Sequence, residues 1–254
     1  MNARPLVFLV ILLITISCHH EETKNKTVLS KVTTSAFDEA DEYIYRSDGT
    51  LQRCDIHVAG QLLVHLDYTY VQGKITLIKE YVRDTLYSTR SFVYDGNNNL
   101  MEVHIVPNND LGEEEVLKVT WANNQILKAE DASANIAASF EYDTRNNATK
   151  ITLTDTNSGT ITNSYERTYD DHVNPLFGLG DPIDYYDIPF AVPIFPNNYT
   201  SEIAKGSDDK IYSTTEIKNT YNDEGLLIKS TSTTTYPDAD SSEEDVIEYV
   251  YKKM

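Results

Sequence analysis

Apolar and polar residues alternate along much of the chain. From Gln61 to Tyr70, Leu62, Val64, Leu66, Tyr68 and Tyr70 fall on one side and Gln61, His65, Asp67 and Thr69 on the other, with Leu63 the exception. Met101, Val103 and Ile105 alternate with Glu102 and His104, and Leu117, Val119 and Trp121 with Lys118 and Thr120. A period of two marks a half-buried strand, and few stretches carry apolar residues at helical spacing. The composition agrees: 18 Tyr, a residue that packs well on a pleated surface, stand against 3 Met. The pattern predicts an all-β chain, an antiparallel meander with one apolar and one wet face. The run Ser230 to Thr235 is polar throughout and predicts a strand with solvent on at least one side.

A motif recurs on top of this alternation. Phe92-Val93-Tyr94-Asp95-Gly96-Asn97-Asn98-Asn99-Leu100 reads as a strand ending in aromatics, a turn, and the next strand. Related copies start at Tyr43, Tyr68, Val119, Phe140, Arg167 and Asn219, and Tyr249-Val250-Tyr251 is a half copy. The second aromatics Tyr45, Tyr70, Tyr94, Trp121, Tyr142 and Tyr169 are 25, 24, 27, 21 and 27 positions apart. Tyr169 and Tyr221 are 52 apart, which reads as two periods with one copy missing, and Tyr251 follows 30 positions later. A period in this range marks a repeat architecture. Each unit has room for two strands of roughly eight to ten residues joined by tight turns, whose Asp, Asn and Gly accept positive φ. The whole predicts a meander of about 14 to 16 strands, which must curl. It can form a half-shell, close into a barrel-like sheet, or fold over itself. A lipid-facing barrel is compatible with alternation alone; the anchor described below favours a soluble, curled sheet.

One stretch, residues 173–200, breaks the pattern. Five of the eight prolines lie between Pro175 and Pro196, and proline cannot donate to a sheet ladder. The stretch is nonetheless apolar and aromatic, with Phe177, Tyr185, Tyr186, Ile188, Phe190 and Phe195. It is expected to plug the uncovered apolar face of the sheet. Its rim, with Tyr185, Tyr186 and Tyr199, is the candidate ligand or partner site, because long irregular loops on a rigid sheet often carry function. Trp121 joins these as a candidate platform for stacking.

The N-terminus carries a targeting pattern. Arg4 precedes an unbroken apolar run, Leu6 to Ile14. That is about half of the roughly 18 apolar residues a membrane-spanning helix needs, and it fits the core of a secretory signal. Thr15-Ile16-Ser17-Cys18 follows and resembles the lipobox of bacterial lipoproteins, with Thr15 where Leu is usual. The resemblance implies cleavage after residue 17 and lipidation of Cys18; the alternative is an ordinary signal peptide with Cys18 a bystander. The polar residues 18–32 are expected to form a flexible tether before one domain, 33–254. Glu21 and Glu22 close to Cys18 resemble the surface-export signal of Bacteroidetes lipoproteins. The second Cys, Cys54, alternates with Ile56 and Val58 and reads as a small buried hydrophobe.

Charge and motifs narrow the chemistry. With 40 acidic against 21 basic residues the formal charge is −19, a field that repels nucleic acid, so no nucleic-acid partner is expected. No phosphate-binding glycine loop, Cys-x-x-Cys or Gly-x-Ser-x-Gly occurs, and no catalytic residue, metal or cofactor is assigned. His57, His65 and His104 sit at polar strand positions and read as solvated; Asp170-Asp171 reads as a turn. Asp238 to Asp245 begins like a calcium loop but lacks the Gly at its sixth position.

The Tyr-Asp-x-x-Gly-x-Leu copies resemble the YD repeats of secreted shell proteins. They are more similar, over residues 40–254, to Bacteroidetes outer-membrane lipoproteins with a porin-like, many-stranded β fold. The step Tyr169-Asp170 to Asn174-Pro175-Leu176 carries that likeness. The resemblance implies the fold and lends no catalytic residue. The expectation is an outer-membrane lipoprotein that binds a ligand or partner, such as a glycan or an outer-membrane protein. The alternatives are a hydrolase of envelope or dietary polysaccharide and a structural partner of an outer-membrane complex.

Overall fold

The computed structural model describes residues 26–108, 112–179, 183–184, 192–193 and 195–254. The signal segment, Cys18, Tyr185 and Tyr186 lie outside the described residues. Eighteen strands follow one another. They are β1 (Thr27–Thr34), β2 (Glu39–Tyr45), β3 (Leu51–Val58), β4 (Gln61–Val71), β5 (Lys74–Val82) and β6 (Thr85–Tyr94). Next come β7 (Leu100–Pro107), β8 (Glu115–Ala122), β9 (Gln125–Asp131), β10 (Ile136–Tyr142), β11 (Ala148–Asp155) and β12 (Ile161–Val173). The last are β13 (Ile183–Asp184), β14 (Val192–Pro193), β15 (Asn197–Gly206), β16 (Ile211–Tyr221), β17 (Leu227–Tyr236) and β18 (Ser241–Lys253). Sixteen of them form one antiparallel meander in sequence order, and β1 pairs with β18 to close it into a barrel. The short β13 and β14 pair with each other outside it. The expected meander is therefore present, and it closes: the half-shell is corrected to a barrel, because Thr27–Thr34 supplies a strand that satisfies both open edges.

The repeat motif has a specific geometry. In three copies the Asp or Asn after the second aromatic caps its own turn. Asp95 Oδ1 accepts from the backbone N–H of Asn97 and Asn99, both at 2.8 Å. Asp143 serves Arg145 and Asn147, and Asn222 serves Glu224 and Leu226, in the same way. Asn98, Asn146 and Gly225 take the left-handed position these turns require. A bulge then sets the second aromatic opposite the first apolar residue after the turn. Tyr45 faces Leu51, Tyr94 Leu100, Trp121 Ile126, Tyr142 Ala148 and Tyr221 Leu227.

Each aromatic also reaches back one hairpin. Tyr94 OH donates to Ile75 O (2.9 Å), Trp121 Nε1 to Leu100 O (2.6 Å) and Tyr142 OH to Ile126 O (2.8 Å). Tyr169 OH donates to Ala148 O (2.8 Å), Tyr251 OH to Leu227 O (2.9 Å) and Tyr45 OH to Leu29 O (2.6 Å). Tyr70 also hydrogen-bonds the Leu51 backbone, in a contact that opposes the upward push of burial on its phenol, as an N–H donor does. Since Leu29 is itself the partner of Tyr251, the series runs around the rim and meets itself. Basic residues cover several of these rings: Arg46 lies over Tyr70, Lys74 over Tyr94 and Lys252 over Tyr45.

The interior is packed. Ile78, Val103, Ala138 and Ile151 are fully buried, within one core that runs from Leu29 to Ala204. A round barrel of 16 strands leaves a wide lumen, so the walls of this one close onto each other. Outward positions carry ion pairs: Lys31–Glu42, Arg53–Asp55, Glu102–His104, Lys128–Glu130, Glu141–Lys150 and Glu166–Lys205. A barrel that spans a bilayer has the opposite polarity, an apolar outside and a polar inside.

Several sequence readings are corrected here. Residues 27–32 are strand rather than tether, because Val28 and Leu29 are buried. Residues 174–196 are the insert, since Val173 and Asn197 already pair in the barrel. The interval from Tyr169 to Tyr221 holds one hairpin repeat, β15 with β16, plus that insert, so no copy is missing. Asp170-Asp171 lies in bulged strand, not a turn. His65 is buried and stacks on Tyr81 at 4.5 Å rather than standing in solvent. Cys54 is buried as expected. Leu176, Leu179 and Phe195, at the ends of the insert, pack against the core.

The ladder bonds set a stability expectation. Tyr142→Phe removes one hydrogen bond and is expected to cost about 1 kcal/mol, while Tyr142→Ala removes ring packing as well and costs about 3–5 kcal/mol. Urea unfolding of the two variants checks both; a Tyr142→Phe variant as stable as wild type would mean the bond to Ile126 contributes nothing.

Candidate functional site: an interior cavity beside the broken ladder

Packing fails in one sector. Between β12, β15, β16, β17 and β18 the barrel holds a cavity of about 430 Å³. The cause lies in the sequence of the inward positions. Where other strands place Leu, Ile, Val or Phe inside, β16 places Thr215 and Asn219, and β17 places Ser230, Ser232 and Thr234. These side chains are too short to meet across the interior. Apolar groups enclose the space: Leu176 and Phe195 from the insert, Ile217, Leu227 and Ile247 from the strands. Tyr169, Tyr199 and Tyr249 supply aromatic walls.

Two charged groups line it, and they pair. Arg167 and Glu202 are cross-strand partners on β12 and β15. Arg167 Nε donates to Glu202 Oε2 at 2.7 Å, and Nη2 lies 2.7 Å from the same oxygen. The guanidinium sits 5.0 Å above the ring of Tyr199. The bulge around Thr200, between the pairs Thr168–Ser201 and Tyr169–Tyr199, turns both Tyr199 and Glu202 toward the cavity. The lining is thus polar and electrically balanced.

The cavity adjoins the one defect in the ladder. By the pattern of the six donating copies Tyr221 should donate to Tyr199 O, the partner position of Tyr169. Instead Asn219 Nδ2 approaches that carbonyl at 3.4 Å, and Tyr221 OH donates to Asp170 Oδ2. Asn219 Nδ2 also donates to Asp170 Oδ2 at 3.0 Å, and Ser230 Oγ donates to Asn219 Oδ1 at 2.7 Å. Asn198 Nδ2 donates to Tyr221 OH at 3.2 Å, while His172 stacks on the Tyr221 ring at 3.8 Å. Burial and the Asp170 carboxylate both push the Tyr221 phenol well above its usual range, so it stays a donor. A polar chain therefore runs from Ser230 in the cavity wall to His172 at the rim. Asn147, wholly buried, ties the insert's exit in place: its Oδ1 accepts from the Asn197 N–H at 3.0 Å.

Of the residues singled out in the sequence, Tyr199 lines the cavity. Trp121 lies half-buried in the ladder, against the core and away from the cavity. Cys18, Tyr185 and Tyr186 fall outside the described residues. Sequence reasoning missed Arg167, Glu202 and the hydroxyls of β16. For β17 the signal was there: a strand polar at every position from Ser230 to Thr235 has no apolar face to pack inward. Of the acidic residues 238–245, Asp238 pairs with Lys210 and Asp245 caps Ser35 and Ala36. His104 stands between Glu114 and Glu102, whose hydrogen bonds hold its pKa up.

A second inward polar group lies elsewhere on the wall. Asp41 on β2 pairs with Val32 and Ile56 and carries a pKa raised to about 7, first by burial and then by Glu39, with His57 opposing. Its Oδ1 finds no hydrogen-bond partner among the described residues.

Among solved structures the chain is similar to a porin-like protein from Bacteroides uniformis ATCC 8492. The identity is 12%, over 88% of this chain and 96% of that one, with a TM-score of 0.41. A porin-like protein from Bacteroides vulgatus ATCC 8482 matches at 12% identity over 89% and 99%, with a TM-score of 0.38. A Photorhabdus luminescens Tc holotoxin pore matches 86% of this chain and 15% of its own length at 11% identity and a TM-score of 0.26. Likeness at this level carries no argument about function. No protein-family model and no curated protein matches the chain.

Two expectations follow from the buried charges. Glu202→Gln strands the Arg167 guanidinium and is expected to cost about 3–5 kcal/mol in urea unfolding, most of it recovered in Arg167→Met/Glu202→Leu. Asp41 binds its proton more tightly folded, near pH 7, than at its ordinary value of 3.8. Stability is therefore expected to fall as pH rises between about 4 and 7, since the folded state must then bury a charge. Asp41→Asn flattens that slope in melts taken from pH 4 to 8; an unchanged slope would place the titrating group elsewhere.

Proposed function

We propose that this protein is an envelope lipoprotein whose barrel stands in water and holds a small ligand in its interior. The cavity carries the reading. A barrel that packs Ile, Val, Leu and Phe inside along most of its wall gives up that packing on β16 and β17, where hydroxyl and amide groups face a partly open space of about 430 Å³. That volume lies in the range of small-molecule sites, roughly 300–1,000 Å³, and short inward polar side chains contribute little to a core.

The order of residues at the N-terminus supports the anchor: an apolar run, then Ser17-Cys18. The ion pairs on the outward face support a body in water. Residues 19–26 span at most roughly 28 Å when extended. β1 begins at the rim that bears the insert and the ladder. A lipid on Cys18 keeps that rim, and the Leu176–Phe195 end of the cavity, toward the membrane.

Two measurements test the reading. If the inward hydroxyls exist for a ligand, Ser232→Val fills space and is expected to raise the melting temperature by ~2–4 °C, for about 1 kcal/mol, while Thr234→Val gives up its bond to Thr215 and gains less. Destabilisation of both variants would make the hydroxyls structural and remove the case for a site. In cells, Cys18→Ala is expected to release the protein from membranes to the soluble envelope fraction; retention would sink the anchor.

A further inference from the structure

The chemistry of the lining says more than that a ligand is held. We infer that the ligand is a neutral linear saccharide, bound along β17; this rests on the interior-binding reading above. Three observations converge. The two charged groups that line the cavity, Arg167 and Glu202, cancel each other, so a ligand with net charge gains no counter-ion. The remaining polar groups are hydroxyls and carboxamides. Thr215, Ser230, Ser232 and Thr234 each donate and accept, as do Asn198 and Asn219. Such a wall matches a ligand that donates and accepts at every step, which a sugar does and an acyl chain does not. The shape is elongated: from Leu227 to Thr234 the lining follows β17 over roughly 23 Å of strand.

The partners within the wall leave room for this. Thr215 and Thr234 hydroxyls share one hydrogen bond at 2.9 Å, and each retains further capacity to donate or accept. The Arg167–Glu202 pair, both nitrogens on one carboxylate oxygen, fixes a charged but neutralised patch on the wall. Tyr199, beneath the guanidinium, and Tyr249 on the opposite strand offer ring faces to the apolar C–H side of a pyranose. An extended peptide shares the length but brings an N–H and a C=O at fixed alternation, for which strand edges are the natural partners; every strand edge around this cavity is already paired.

Isothermal titration of the full chain, held in a detergent without a sugar headgroup, tests the assignment. The probes are cellotriose, maltotriose, triacetylchitotriose, trigalacturonate, triserine and decanoate. At least one neutral trisaccharide is expected to bind, and Ser232→Leu and Thr234→Leu, which push apolar bulk into the cavity, each weaken it at least tenfold. Both variants are first checked for the wild-type circular dichroism spectrum. If triserine, decanoate or trigalacturonate binds in a manner lost in these variants while the neutral sugars do not, the saccharide assignment fails and the interior-binding reading stands. If no probe binds, or a sugar binds both variants as tightly as wild type, the cavity is not a sugar site; the melting behaviour of Ser232→Val then decides whether it is a ligand site at all.

Discussion

The bond on which this barrel depends runs from the side chain that ends one hairpin to the backbone that begins the hairpin before it. A phenol or indole donates to the carbonyl of Leu29, Ile75, Leu100, Ile126, Ala148 or Leu227. Each acceptor residue is itself buried opposite the previous aromatic. One residue thus fills the interior, fixes the bulge that re-aims the strand, and ties neighbouring hairpins in register. Because an aromatic must sit at this position in every unit, the sequence repeats near 25 residues. Because the turn must bring the chain back within reach, an Asp or Asn caps it at Asp95, Asp143 and Asn222. The motif is the trace of a mechanical requirement, and chemistry need not be sought in it.

The requirement also explains why a 16-stranded sheet can be a solid rather than a pipe. Fixed bulges at one rim raise twist and draw the walls inward, and the apolar faces of β1 to β12 then meet. The outer surface carries charged pairs beside exposed Ile44, Val93, Met101, Leu127 and Val250. A closed barrel of this strand number is usually thought of as a pore; here most of the wall packs apolar side chains inward.

Much of this was legible in the residues. Period-two alternation gave the strands, and the spacing of Tyr45, Tyr70, Tyr94, Trp121 and Tyr142 gave the hairpin unit. Closure was not legible, because it hinges on Thr27–Thr34, a strand with no aromatic and too little alternation to separate it from a polar tether. The arithmetic also misled at Tyr169 to Tyr221. Two periods and one period plus an insert have the same length, and Tyr199 stands where the other copies put an aliphatic residue, so the hairpin of β15 and β16 carries no visible signature. Arg167 and Glu202 were hidden for a different reason. Among 61 charged residues, the two that face inward opposite one another are selected by strand parity after a bulge, and a bulge cannot be placed without the partner strand.

The defect and the cavity then have one origin. The insert enters between β12 and β15, so the carbonyl that Tyr221 would use is that of Tyr199, which the Thr200 bulge has turned toward Arg167. Asn219 takes over that carbonyl at long range, and Tyr221 swings to Asp170. This hairpin lacks the aromatic lock to its predecessor, and its inward row on β16 and β17 carries small polar side chains where apolar ones would fill the space. Small polar side chains satisfy the wet surface that results. Such a sector persists because six such bonds and the closure through β1 hold the barrel around it. A site placed on the only unlocked hairpin of an otherwise locked ring is also the place where a bound ligand can add the most rigidity, by supplying from inside the contacts that the ladder omits.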